Sequence, residues 1–394
     1  MVPLKQTVLA ATLAFSCISQ GVYATAANDS GYTKNGLTWG SGLRMNQIQI
    51  IGTHNSYHRE VSLEERPYHA VLLSDPENYY YSHSALNLQA EYQNVRSFEI
   101  DIWADPEGGK YATPLVRKLA HLPFPSDPAM NKSGTKVIHV PDADVGTTCH
   151  TFIECLNVIR KWSKAHPNHV PIPCMIEFKT SGDLSSLGGA TPLQWNDTEL
   201  LASLDAEFRS VFAGDELITP DDIRRGNLTL EESVLTYGWP ELESARGRVM
   251  FMMDDGATTL GATRAAYIEG RPNLEGRVVF SQSQPGEPDC AFRKMNTPTG
   301  DYHQEIQDSV KKNYWVRTRA DIPITTILSN DTTSRRDAAF SSGAQMVTTD
   351  WPAYGMSARY DVDYVVRFAD GGPARCNPIN APESCKEIEF EPIL

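Results

Sequence analysis

The chain has 394 residues, of which 41% are hydrophobic and 21% charged, with a formal net charge of −14 at pH 7. An acidic chain without a basic run argues against nucleic acid as a partner. The length leaves ample residues to bury a large core in one α/β barrel or in two smaller units, and the first of these is expected.

The chain opens on a segment that does not read as part of the fold. Lys5 precedes an apolar stretch from Thr7 to Ile18, and the small residues around Ala24 and Ala26 suit cleavage. This is the pattern of a secretory signal peptide over residues 1–26. The stretch falls short of the roughly 20 apolar residues that a spanning helix needs, and no later segment reads as transmembrane. One domain is expected over residues 27–394. With Cys17 removed, six cysteines remain: Cys149, Cys155, Cys174, Cys290, Cys376 and Cys385. An even number in an exported chain favours disulfides. Proximity pairs Cys149 with Cys155 and Cys376 with Cys385, which leaves Cys174 for Cys290 by elimination. Glycosylation sequons stand at Asn131, Asn196, Asn227 and Asn330.

In chain order, strands are expected at Gln47–Gly52, Arg96–Trp103, Lys136–Val140, Cys174–Phe178, Arg248–Met253, Arg277–Ser281, Ile322–Leu328 and Gln345–Thr349. Helices are expected at Thr151–His166, Thr198–Phe212, Tyr302–Arg317 and Ser334–Ser342. The first of them carries Phe152, Cys155, Leu156 and Ile159 at amphipathic spacing. Alternating β and α with about eight strands, and no Gly-x-Gly-x-x-Gly after a strand, favours a (β/α)8 barrel over a dinucleotide-binding sheet. The segment 59–94 is long for a first βα unit and reads as carrying an insertion. The tail after Asp350 is expected to wrap the barrel, held by Cys376–Cys385.

The chemistry gathers at a few positions. His54-Asn55 follows the first strand directly. Glu99 and Asp101 sit two apart on a strand and so share a face, with Phe98, Ile100 and Ile102 on the other. Two carboxylates facing a barrel interior repel unless a cation lies between them, and calcium is the hard cation available outside cells. Glu177 and Lys179 form a second same-face pair, one suited to complete a metal shell and the other to meet a phosphate. His139 closes the strand Val137-Ile138-His139-Val140, a placement like that of His54. Two imidazoles across a phosphodiester divide the proton transfers between them. The cysteine and histidine spacings form no zinc set.

His54-Asn55, Glu99-x-Asp101, Ile138-His139 and Ile176-Glu177 together resemble the catalytic barrel of the calcium-dependent phosphatidylinositol-specific phospholipase C family, most closely its secreted single-domain branch. The stretches 136–149 and 166–179 carry much of the likeness, and Thr348-Thr349-Asp350-Trp351 resembles the final strand. The resemblance implies a distorted TIM barrel with His54 and His139 as the acid/base pair. It implies calcium ligation by Asn55, Glu99, Asp101 and Glu177, with Lys179 contacting substrate. Its expected reaction is cleavage of phosphatidylinositol-type lipid, at a membrane surface, to diacylglycerol and a cyclic inositol phosphate. A monomer is expected. The competing readings are a glycerophosphodiester phosphodiesterase or sphingomyelinase-D-like hydrolase, and a catalytically silent lipid-binding barrel.

Overall fold

The computed structural model describes residues 31–180, 182–254, 261–387 and 389–391. The expected leader at 1–26 lies outside them. A two-stranded antiparallel hairpin, β1 (Tyr32–Lys34) and β2 (Leu37–Trp39), precedes the sheets. The remaining strands are β3 (Ile48–Thr53), β4 (Phe98–Trp103), β5 (Lys136–Val137), β6 (Ile172–Phe178), β7 (Val249–Asp254), β8 (Val279–Phe280), β9 (Phe292–Lys294), β10 (Trp315–Arg319), β11 (Met346–Thr349) and β12 (Ala374–Cys376). They form two five-stranded sheets, ordered β12-β3-β11-β10-β9 and β5-β4-β6-β7-β8.

The two sheets meet at both seams. Single parallel bridges join Gly52 to Ser97 and Gln282 to Phe292, which links β3 to β4 and β8 to β9. The parallel strands β3, β4, β6, β7, β8, β9, β10 and β11 thus follow one another round a ring, a distorted TIM barrel. Gly52 makes the first seam possible. A Cβ there would lie 2.7 Å from the Ser97 Cβ and 3.0 Å from Thr348 Cγ2, closer than packed side chains tolerate.

Two of the eight expected strands are not barrel strands. The run 322–328 is a short helix, Pro323–Ile327: Pro323 presets φ for a first helical turn and has no N–H for a ladder. Only Lys136–Val137 of the expected 136–140 strand forms, and it pairs antiparallel to β4. In their place stand β9 and β10. The helix expected to run through Arg317 ends at Lys311, because Asn313 adopts φ 70° and turns the chain into β10.

The other helices keep their expected bounds within a residue or two: Phe152–Ala165, Thr198–Val211 and Ser334–Ser341. Thr151 caps the first by accepting from the Glu154 N–H, and Phe152, Cys155, Leu156 and Ile159 are all buried in the main core. The long connection after β3 does carry inserted elements, Arg66–Leu72, Pro76–Tyr79 and Leu86–Tyr92. After β11 the tail returns to pair β12 with β3.

Disulfides join Cys149–Cys155 and Cys376–Cys385 as expected. The third pairing does not form: Cys174 and Cys290 are both free thiols. Cys174 lies in the main core on β6, whereas Cys290 packs in a separate cluster with Met295 and Tyr314, so elimination by count misassigned both.

Beneath the barrel, His169 links the helix Phe152–Ala165 to β6. Its Nε2 lies 2.6 Å from Ser163 Oγ and its Nδ1 2.6 Å from the Val170 carbonyl. Burial pushes this imidazole down from 6.5 to about 4. Between those values the unfolded chain binds a proton that the native state refuses, so stability falls as pH drops and rises with pH. Denaturation at pH 7.5 and 4.5 should show the stability advantage of wild type over His169→Gln shrinking by about 2.5 kcal/mol at the lower pH. An advantage that does not change with pH would mean that His169 titrates normally.

Candidate active site

The strands end in charged residues on the side where the βα loops begin. On β4, Phe98, Ile100 and Ile102 enter the main core, while Glu99 and Asp101 are buried on the other face. β4 and β6 are parallel neighbours with Asp101 opposite Glu177, and β6 and β7 place Glu177 opposite Asp254. Three carboxylates therefore stand in one row across three strands. Oxygens of Glu99, Glu177 and Asp254 lie within 4.8 Å of one another. At that spacing, even with an effective dielectric of about 20, each like-charged pair costs roughly 3 kcal/mol.

Basic side chains meet these acids inside the barrel. Arg317 of β10 pairs with Glu99, and Lys294 of β9 pairs with Asp254. Lys179 bridges Asp101 at 3.3 Å and Glu177 at 3.2 Å. Burial opposes charge on Glu177, but Lys179, Lys294 and His139 outweigh it and hold the carboxyl down at about 2. Glu99 is pushed up to about 7, because its burial outweighs the help of Arg317. Asp101 is raised well above its usual range, again by burial first.

His54 leaves β3 into a turn in which its N–H donates to the Thr349 carbonyl and Asn55 takes φ 46°. The His54 Nδ1 is 2.9 Å from Asp350 Oδ1, and Arg319 holds the other Asp350 oxygen at 3.0 Å. The carboxylate fixes the proton on Nδ1 and leaves the Nε2 lone pair available, 3.9 Å from Glu99 Oε1. Burial and then Arg319 push His54 down to about 3, so it stands neutral. Tyr81 Oη lies 3.2 Å from Asn55 Nδ2 and 3.4 Å from His54 Nδ1.

His139 has a matching arrangement. Its Nδ1 lies 2.8 Å from Asp144 Oδ2, and the fully buried His58 places Nε2 2.8 Å from the same oxygen. Tyr79 packs its ring 5.0 Å from that of His139. His139 does not end a barrel strand as expected. It lies two residues beyond the antiparallel β5, where Trp103 Nε1 donates to the Ile138 carbonyl. It reaches the site from the seam side of β4.

The residues singled out in the sequence thus converge, with one shift of emphasis: Lys179 is engaged by two carboxylates. Sequence reasoning missed Asp350, Asp144, Arg317, Arg319, Asp254 and Tyr81. Arg317 and Arg319 repeat the i, i+2 pattern of Glu99 and Asp101, a signal hidden by reading a helix through Arg317. Ser281, Ser283 and Arg293 do not reach this site. The two serines hydrogen-bond Asp289, and Arg293 is held by Glu305 and Ser309.

The donor set fits a calcium ion. Asn55 Oδ1 is buried without a hydrogen-bond partner, and the buried Asp101 carboxylate meets the Lys179 ammonium and the Tyr57 hydroxyl. The row offers hard carboxylate oxygens, as calcium prefers.

Residues 43–378 match the family model for phosphoinositide phospholipase C, Ca2+-dependent. The chain belongs to that family. It is accordingly a phosphodiesterase of the phospholipase C type, and the family's cofactor is calcium. Among solved structures it resembles a calcium-dependent phosphoinositol-specific phospholipase C from the Gram-negative bacterium Pseudomonas sp. The myoinositol complex of that protein shares 16% identity, covering 88% of this chain and all of the other, with a TM-score of 0.52. Two apo crystal forms give TM-scores of 0.51 at the same identity. One covers 88% of this chain and 100% of the other, the second 84% and 95%. At this identity the likeness speaks for the barrel fold. No curated protein matches the sequence.

Proposed function

We propose that this phospholipase is a secreted enzyme that cleaves phosphatidylinositol-type lipids into diacylglycerol and a cyclic inositol phosphate, with His54 and His139 moving the protons. The observation that carries this reading is the pair of imidazoles, each anchored at Nδ1 by a buried carboxylate, Asp350 or Asp144, beside one row of acids. Neutral His54 withdraws the proton from the attacking inositol 2-hydroxyl. His139, which burial lowers and the Asp144 hydrogen bond pulls back up, gives the Nε2 proton of its charged form to the departing glycerol oxygen. Asn55, Glu99, Asp101 and Glu177 would hold calcium, which when bound neutralises phosphoryl charge and makes the hydroxyl more acidic. Lys179 contacts the anionic head group from between Asp101 and Glu177. Phosphorus NMR of phosphatidylinositol vesicles treated with the enzyme tests the products. A five-membered cyclic phosphodiester in water, with diacylglycerol left in the lipid, is expected. Phosphatidic acid or a glycerol phosphate would overturn the reading.

Secretion is supported by the leader pattern, the two disulfides and the exposure of the sequon asparagines Asn131, Asn196, Asn227 and Asn330. No helix among the described residues is long and apolar enough to cross a membrane. Docking to a lipid surface is supported by exposed apolar side chains on the connections that follow barrel strands. Leu63 and Val71 follow β3, Phe124 follows β4, Leu187 follows β6 and Tyr354 follows β11, with Val71 85% and Leu63 73% exposed. Inserting two such side chains is worth about 3 kcal/mol or more. A Leu63→Asp/Val71→Asp variant should therefore lose about a hundredfold in vesicle association, read by sedimentation. Its turnover of a soluble, short-chain phosphatidylinositol below its micelle concentration should stay unchanged. Unaltered sedimentation would place the membrane contact elsewhere.

A further inference from the structure

The strand β7 is apolar from Val249 to Met253, and every one of those side chains is buried in the main core. It nevertheless ends on Asp254, a carboxylate only 4% exposed. Burying a charge at the end of such a strand is costly unless something positive meets it. Part of the answer is Lys294, whose ammonium is ion-paired with Asp254 across the short strand β8. The pair leaves the position of Asp254 unexplained. A structural ion pair does not need to stand in register with Glu177, nor with its oxygens within 4.8 Å of those of Glu99 and Glu177. On the turn that follows β3, Asn55 Oδ1 is likewise buried and without a hydrogen-bond partner.

Calcium takes six to eight oxygens, more than four side chains supply unless some bind through both oxygens or water fills the shell. We infer that Asp254 is a fifth protein ligand for calcium, and that Lys294 holds its carboxylate until the ion takes it. The inference rests on the calcium reading of Asn55, Glu99, Asp101 and Glu177 and extends it by one strand. Lys294 and calcium then compete for one carboxylate, so the lysine weakens calcium binding while keeping the calcium-free barrel electrically balanced. Arg317 on Glu99 and Lys179 on Asp101 and Glu177 play the same part for the other acids.

Calorimetric titration of calcium alone into the mature protein tests this without turnover as the readout. Asp254→Asn should weaken calcium affinity by tenfold or more, and Lys294→Met should tighten it several-fold. The double variant Asp254→Asn/Lys294→Met removes both charges, so it avoids a stranded ammonium if the single variant misfolds, and it should bind as weakly as Asp254→Asn. Glu177→Gln serves as the reference for a ligand of the underlying site. Affinity within twofold of wild type in Asp254→Asn or in the double variant, while Glu177→Gln loses binding, would overturn the fifth ligand and leave the calcium site standing. Weakened binding in Lys294→Met would overturn the competition. A wild-type protein that takes up no calcium would overturn the underlying reading, and this inference with it.

Discussion

Replacing His139 or His54 by alanine is expected to lower kcat by about 10²–10⁴-fold, the usual contribution of a positioned acid or base. KM should move little, because neither imidazole is proposed to bind the ground-state lipid. The expectation comes from the anchoring of the two rings. Asp350 and Asp144 each hold an Nδ1 at 2.9 and 2.8 Å, which directs both Nε2 atoms toward the reacting group. Both carboxylates stay ionised well below their ordinary range. Burial opposes this in each, but His54 and Arg319 outweigh it for Asp350, and His58 and His139 for Asp144. Exchange of either carboxylate for its amide is expected to slow catalysis without removing an imidazole. Steady-state kinetics on phosphatidylinositol in mixed micelles separates the two parameters. A KM that rises while kcat holds would mean that the histidines bind substrate and do not transfer protons.

Much of this site was legible in the sequence because β4 and β6 are long enough for alternation to speak. Glu99-x-Asp101 and Glu177-x-Lys179 each declare a polar face against a fully apolar one, and the register Asp101 to Glu177 brings those faces together. The barrel was legible in β3, β4, β6, β7, β8 and β11 because each lies within an apolar run bounded by polar residues. Three-residue β9 and five-residue β10 were not: a helix running into Lys311-Lys312 gives no sign of stopping except Asn313. With β10 hidden, Arg317 and Arg319 lost their face and the acids their partners. Asp144 carries no local pattern, and Asp350, though within the stretch that resembles the final strand, shows no role there. Each follows a turn or a strand end and gains meaning only when the barrel brings it to a histidine. Tyr81 likewise gains its place only in the fold, where its hydroxyl packs against both His54 and Asn55. Cysteine counting reached its limit in the same way, since a number of thiols says nothing of which core each one enters.

Removal of calcium is the second large effect expected, and it bears on the whole account. Glu99, Asp101, Glu177 and Asp254 crowd one end of the barrel at a Coulombic cost, and the basic groups that offset it are the chain's own. Such crowding has a purpose if a divalent cation completes the site during turnover. Hydrolysis of phosphatidylinositol vesicles should therefore fall by about 10³-fold or more in a calcium chelator, a loss of roughly 4 kcal/mol of transition-state stabilisation. Added calcium should restore it fully. The decisive measurement is this turnover in chelator and after calcium is returned, on one protein sample with its thermal unfolding recorded in both states. A folded protein that is silent in chelator and active again with calcium is the predicted result. Undiminished turnover in chelator by a folded protein would contradict it.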